Sequence, residues 1–272
     1  MLDFAARVTV LCFAASYGVG VANEILRVLW PRLPAWPTFA AAGAGLFAQT
    51  LFLASRGIAQ QRLPTGTTFE SLIVLSWLTT AAYLFFAIRH RKMALGLFLL
   101  PASLGMSLFA AAAFDRETTA AFGMRFLGIA HGVLLLIAVL LVALAVAFSA
   151  MYLVKSRQLR SAAFLDRVRL PSLERLDHWN HLSLKLGWAF LTLGIAIGFG
   201  LQHLALSDPK VVATVVAWLA LTYLANYRRI HPEHRGKRLA WGVIIAGAIL
   251  IVAVVGDPIL GTAHQSARGG SP

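Results

Sequence analysis

Eight histidines are the side chains in this chain best suited to holding a ligand. Imidazole titrates near neutral pH and is a common metal ligand. The apolar runs around these residues sort them. His131 lies inside MRFLGIAHGVLLLIAVLLVALAVAFSAMYLV, a run long enough to cross a bilayer at about 20 residues per crossing. A histidine at that depth is costly unless it has a partner or a task, which makes it a site candidate. His203 lies at the end of a second apolar run, and His264 follows the last one. His90, His178, His181, His231 and His234 fall among basic loop residues instead.

The plain reading of any lone histidine is a solvated or hydrogen-bonded residue. Membrane depth favours the functional reading for His131, whereas the context of His264 alone does not. Two imidazoles can hold one haem iron from opposite faces. His178 and His181, at i and i+3, could share a helix face and a metal. No third ligand with suitable spacing accompanies them, and a basic helix start at the membrane surface accounts for them better. The only cysteine, Cys12, sits in the first apolar run, so there is no disulfide and no cysteine-based metal site within the chain. Glu24 is placed to pair with Arg27, and Glu70 opens a helix after Thr67 and Thr68, where a carboxylate complements the helix N-terminus. No series of acidic residues joins the two, so neither reads as a proton relay. No nucleophile motif, phosphate-binding glycine loop or carboxylate dyad is present, and the chain is not expected to be an enzyme on its own.

The elements that must position these residues are apolar helices. The chain of 272 residues is 59% hydrophobic and only 13% charged, with a mean hydropathy of +0.75. Soluble domains are about half apolar and a quarter charged. Continuous rather than alternating apolar runs point to an all-α, polytopic membrane bundle. About eight transmembrane helices are expected, near 5–27, 36–55, 68–89, 93–114, 125–154, 182–204, 210–228 and 238–257. The first is read as a retained helix rather than a signal peptide. The turn Trp30–Pro37 separates the first two helices, because proline cannot continue one. Residues 1–264 form one expected transmembrane domain, with 155–181 as an amphipathic cytoplasmic connector and 265–272 as a disordered tail.

The net charge of +13 resides in short loops, which is a topology and lipid signal rather than a nucleic-acid one. Most of the 24 lysines and arginines fall between helices one and two, three and four, five and six, and seven and eight. The other side keeps Arg7, Arg56, Arg62, Arg116, Arg125, Lys210 and Arg268. The richer side should be cytoplasmic, with both termini on the outer (periplasmic) side. His131, His203 and His264 then share the outer face.

A family resemblance adds to this reading. Leu170-Pro-Ser-Leu-Glu-Arg-Leu-Asp177 followed by Gly187-Trp-Ala-Phe-Leu-Thr-Leu-Gly-Ile-Ala-Ile-Gly198 resembles the cytochrome c assembly membrane family, which includes the CcsA, HemX and YpjD proteins. Leu63-Pro64 with Phe69-Glu70-Ser71-Leu72, His131 with Met151-Tyr152-Leu153 and Gln158-Leu159, Asp208-Pro209-Lys210, and His234-Arg-Gly-Lys-Arg238 with Gly261-Thr-Ala-His264 follow in the family's order. The resemblance implies a b-type, non-covalent haem at the outer face of a bacterial cytoplasmic (inner) membrane, with His131 and His264 as axial ligands. Arg125 and Lys210 are placed by topology to offer cations to the propionates. The implied partners are haem, the lipid bilayer and another cytochrome c assembly membrane protein or an apocytochrome c. The family's tryptophan-rich signature is missing, since Gly200-Leu-Gln-His-Leu-Ala-Leu-Ser-Asp208 has no tryptophan. That departure moves the chain toward HemX and YpjD, and makes His203 a further candidate haem contact. Two alternatives stand beside haem handling: a HemX-like regulator of haem synthesis acting through a cytoplasmic partner, and a small-molecule transporter. The transporter reading lacks the internal repeat such proteins usually show.

Overall fold

The computed structural model describes residues 9–30, 32–61, 63–64, 67–89, 95–112, 125–159, 170–201, 209–230 and 236–255. Among them the regular structure is entirely α-helical: α1 (Val10–Leu29), α2 (Trp36–Gln60), α3 (Thr68–Arg89), α4 (Gly96–Ala112), α5 (Arg125–Gln158), α6 (Leu173–Leu201), α7 (Pro209–Ile230) and α8 (Lys237–Val255). By length and composition, four of these can cross a membrane: α2, α3, α5 over Leu127–Gln158, and α6 over Leu173–Gly200. α4 and the Val211–Tyr227 part of α7 are apolar but shorter.

The helix ends follow local chemistry. α1 stops at Trp30 ahead of the proline-rich turn, and α2 closes on Gln61 in the left-handed conformation (φ 53°). The Thr67 hydroxyl accepts from the backbone N–H of Glu70 at 3.1 Å and caps α3. Three helices run further than hydropathy predicts. α2 continues to Gln60, α5 to Gln158, and α6 starts at Leu173 rather than near 182. Hydropathy ends a helix where charged residues begin, but backbone hydrogen bonding does not. Ser172 accepts from the Arg175 N–H at 3.4 Å, and Glu174 lies in the first turn, so the polar start of α6 is locally favourable. The connector expected over 155–181 thus contributes 155–158 to α5 and 173–181 to α6, while 160–169 and the tail 265–272 lie outside the described residues.

The chain divides into two compact units, 1–118 with 153–175, and 119–152 with 176–272. In the first, α1 packs on α2 and α4, and α3 on α2 and α4, which closes a four-helix ring. Phe13, Tyr17, Ile73, Leu99 and Leu100 fill its centre. In the second, α5 to α8 also pack in sequence, and α8 returns against α5 through Gly247 and Val146.

Close helix approach in the first unit depends on Gly45. A Cβ there would lie 2.5 Å from Tyr17 Cε1, whereas one at Gly43 would meet nothing within 4 Å. Gly45→Ala is therefore expected to lower the thermal unfolding midpoint in detergent, through an overpacking cost of about 1–3 kcal/mol. Gly43→Ala should leave it unchanged or raise it, by up to about 1 kcal/mol of helix preference. The same calorimetric or fluorescence melt reads both variants.

Candidate functional site

His131 lies in the second turn of α5, where that helix faces the last turns of α6. Polar contacts fix the register of the two antiparallel helices. At the far end, Asn180 Nδ2 donates to Ser149 Oγ at 2.9 Å, and Phe148 meets Trp179 edge-on at 5.4 Å between ring centroids. Between these points Gly187 lies against Leu141 and Val142, and Gly194 against Leu135. α7 is tied to α6 by two reciprocal bonds: Trp188 Nε1 to Thr222 Oγ1 at 2.8 Å, and Trp218 Nε1 to Thr192 Oγ1 at 2.9 Å. In apolar surroundings such indole–hydroxyl bonds hold helices together without burying charge.

The His131 ring itself is half-buried, with Nδ1 2.7 Å from the carbonyl oxygen of Gly194. A carbonyl can only accept, so in the neutral ring Nδ1 carries the proton and Nε2 presents its lone pair. Gly198, one turn further along α6, makes room for the ring. A Cβ there would lie 2.7 Å from His131 Cε1 and 3.1 Å from Nδ1. Gly194 and Gly198 thus form a seat in the α6 backbone that fixes both tautomer and orientation. In the sequence these glycines stand out only as part of the family-like run Gly187–Gly198, which does not reveal this role. The small-xxx-small spacing of Gly194 and Gly198 is the signal that could have shown it.

The other expected site residues are only partly described. Arg125 is the first residue of α5 and Lys210 the second of α7, but their side chains, His203 and His264 lie outside what is described. His178 and His181 both fall in the start of α6, the first exposed and the second half-buried. Among the described residues no group of three His, Cys, Asp or Glu side chains converges.

With this geometry in view, comparison with known proteins is decisive about family. The sequence profile described as Cytochrome C assembly protein matches residues 65–260. The chain belongs to that family. A protein named HemX from Brevibacillus brevis is similar to it, at 27% identity over 222 residues, covering 76% of this chain and 79% of the relative. No solved structure matches. As a family member with several apolar helices, the chain is a multi-pass membrane protein of haem and cytochrome c biogenesis. The family match takes in α3 to α8 and leaves out α1 and α2.

The seat predicts a definite nuclear spectrum. With histidine labelled in nitrogen-15, the neutral His131 ring should show the Nδ1–H tautomer, with Nε2 shifted to the unprotonated range. Gly198→Leu should displace the ring and change that signal, and a Nε2–H tautomer in the unaltered protein would contradict the arrangement.

Proposed function

We propose that this family member holds haem at the outer membrane face, with His131 and His264 as axial ligands, and passes it on without bond-making by its own side chains. The single observation that carries this reading is the His131 seat. Haem-ligating and metal-ligating imidazoles usually donate their second N–H to a carbonyl or carboxylate, which fixes the ring and strengthens the ligand. The bond from Nδ1 to Gly194 O fits that requirement and leaves Nε2 for iron.

Helix order supports the second ligand. α5 to α8 alternate in direction, so the N-terminal ends of α5 and α7 share one end of their unit with the C-terminal ends of α6 and α8. His131 is near that end, and the sequence from α8 reaches His264 soon after Val255. Arg125 and Lys210 belong to the same ends, where cations suit haem propionates, and His203 belongs to the α6–α7 connection. A bound haem would be held by these imidazoles and would supply a redox-active iron. In this reading all eight helices cross a bacterial inner membrane, with both termini outside. The haem is b-type and non-covalent, and its recipient is another cytochrome c assembly membrane protein or an apocytochrome c.

The test is an absorption spectrum of protein purified from haem-replete cells. The unaltered chain should show a low-spin Soret band typical of two imidazoles. His131→Ala and His264→Ala should each abolish or convert it, and pyridine haemochrome formation should report b-type haem. Unchanged spectra in both variants would remove the ligand assignment.

A second reading, a HemX-like regulator of haem synthesis, is favoured by the similarity to the protein named HemX. It would act through the basic connector 155–181 on a cytoplasmic enzyme. Photocrosslinkers within that connector should then capture a soluble enzyme of haem synthesis; capture of outer-face partners alone would count against it.

A further inference from the structure

The interior of the first unit is unexpectedly polar, and its polar groups form a series along the bundle. Glu24 is 5% exposed and Glu70 is 0% exposed, and they lie toward opposite ends of the unit. Between them Tyr17, Gln49, Ser76, Thr80, Ser103, Ser107 and Tyr83 are all buried. From Glu70 to Tyr83 along α3 this covers about 20 Å at 1.5 Å per residue, which is most of a bilayer's apolar core.

The connections can be followed. Glu24 Oε1 accepts from Arg27 Nη1 at 2.7 Å, packs against Gly96 of α4, and is close enough to Tyr83 of α3 to act on it electrostatically. Deeper in, the Tyr17 phenol donates to Gln49 Oε1, and Gln49 Nε2 donates to the Ile73 carbonyl at 2.8 Å. On the facing side of α3, Ser76 bonds the Ser103 carbonyl at 2.9 Å and lies 2.8 Å from the Ser107 hydroxyl. Toward the other end Arg56 Nε donates to Glu70 Oε1 at 3.0 Å, with the guanidinium over the Phe69 ring.

Polar residues between membrane helices commonly act only as adhesive. Two features go further. Ser103 Oγ is fully buried and makes no hydrogen bond among the described residues, and Thr80 Oγ1, also fully buried, has only the Tyr17 phenol beside it. Buried hydroxyls are nearly always satisfied, and in a polar interior the usual missing partner is water. The second feature is the pair of carboxylates at the two ends, which is costly in a membrane without a task.

We propose that the first unit carries protons along this seam, by way of internal waters on Thr80 and Ser103, between the Glu24 end and the Glu70 end. A hydroxyl or a water both donates and accepts, so it can take a proton from one neighbour and release another onward. A proton taken from solvent at one end is matched by one released at the other, and the electrochemical gradient supplies the drive. Arg27 and Arg56 hold the flanking carboxylates in place and keep other cations out by repulsion. The seam draws on α1 and α2, which the family match leaves uncovered, and does not rest on the haem reading.

The experiment uses the full chain in liposomes with a trapped pH-sensitive dye and a valinomycin-set potassium diffusion potential. The unaltered protein should acidify the lumen several-fold faster than protein-free vesicles. Glu24→Gln and the pair Thr80→Val with Ser103→Ala should remove most of that flux, and Thr80→Ser should keep it. Thr79→Val should also keep it, since Thr79 is buried but bonds the Leu75 carbonyl of its own helix. If the paired variant fails to elute as a single helical species, Tyr17→Phe is read in its place. Flux equal to that of empty vesicles, or flux unchanged by the paired variant or its replacement, would overturn the proposal and leave the seam as adhesive alone.

Discussion

Inside an apolar slab, a polar group has to find its partner within the protein, because water is not there to supply one. That constraint explains most of what is specific here. Among the described residues the backbone satisfies it by forming helices, and the side chains satisfy it by reaching back to their own helix or across to the next. Thr50, Thr79, Thr192 and Thr222 all bond carbonyls one turn back, and Thr50, Thr192 and Thr222 also accept from indole N–H groups. Where such a bond crosses between helices it also sets their register, as Asn180 with Ser149 and Gln49 with the Ile73 carbonyl do.

Local rules made part of this legible in the sequence. The Glu24–Arg27 pair is an i,i+3 contact on one helix, and Thr67 with Glu70 is a helix start, so neither needs knowledge of the fold. His131 was legible as a site candidate because depth alone makes an imidazole conspicuous. What stayed hidden is relational. Arg56 reads as a loop-end basic residue until α2 is seen to run to Gln60 and lay that guanidinium on Glu70. The start of α6 at Leu173 was hidden for a similar reason, since hydropathy reports the apolar part of a helix and not its solvated turns. Gly194 and Gly198 carry no side chain to signal a role. They become visible only when the His131 ring is seen against the Cβ position of Gly198 and on the Gly194 carbonyl.

The two units answer the shared constraint differently. Most of the buried polar side chains of the described residues fall in the first unit, in α1 to α4, whereas the interior of the second is chiefly Ala, Val, Leu and Phe, with Ser149, Asn180 and Ser183 toward one end. An apolar interior gives packing but little direction, so orientation in the second unit falls to small residues: Gly187 against Val142, Gly242 against Leu224, Gly247 against Val146. Close backbone approach at glycine strengthens dispersion contacts and fixes how neighbouring helices sit.

The same argument explains why His131 is held by a carbonyl and not by a carboxylate. A carboxylate beside the imidazole would make it a stronger ligand, but it would place a charge in the apolar layer that needs its own partner. The Gly194 carbonyl is already in the membrane as part of α6 and adds no charge, yet it accepts the Nδ1 proton at 2.7 Å. The cost is steric, because only a residue without Cβ lets the ring approach at Gly198. The Gly194 carbonyl and the open Cβ position of Gly198, one turn apart, therefore hold the ring in a single orientation and bring no added charge into the bilayer.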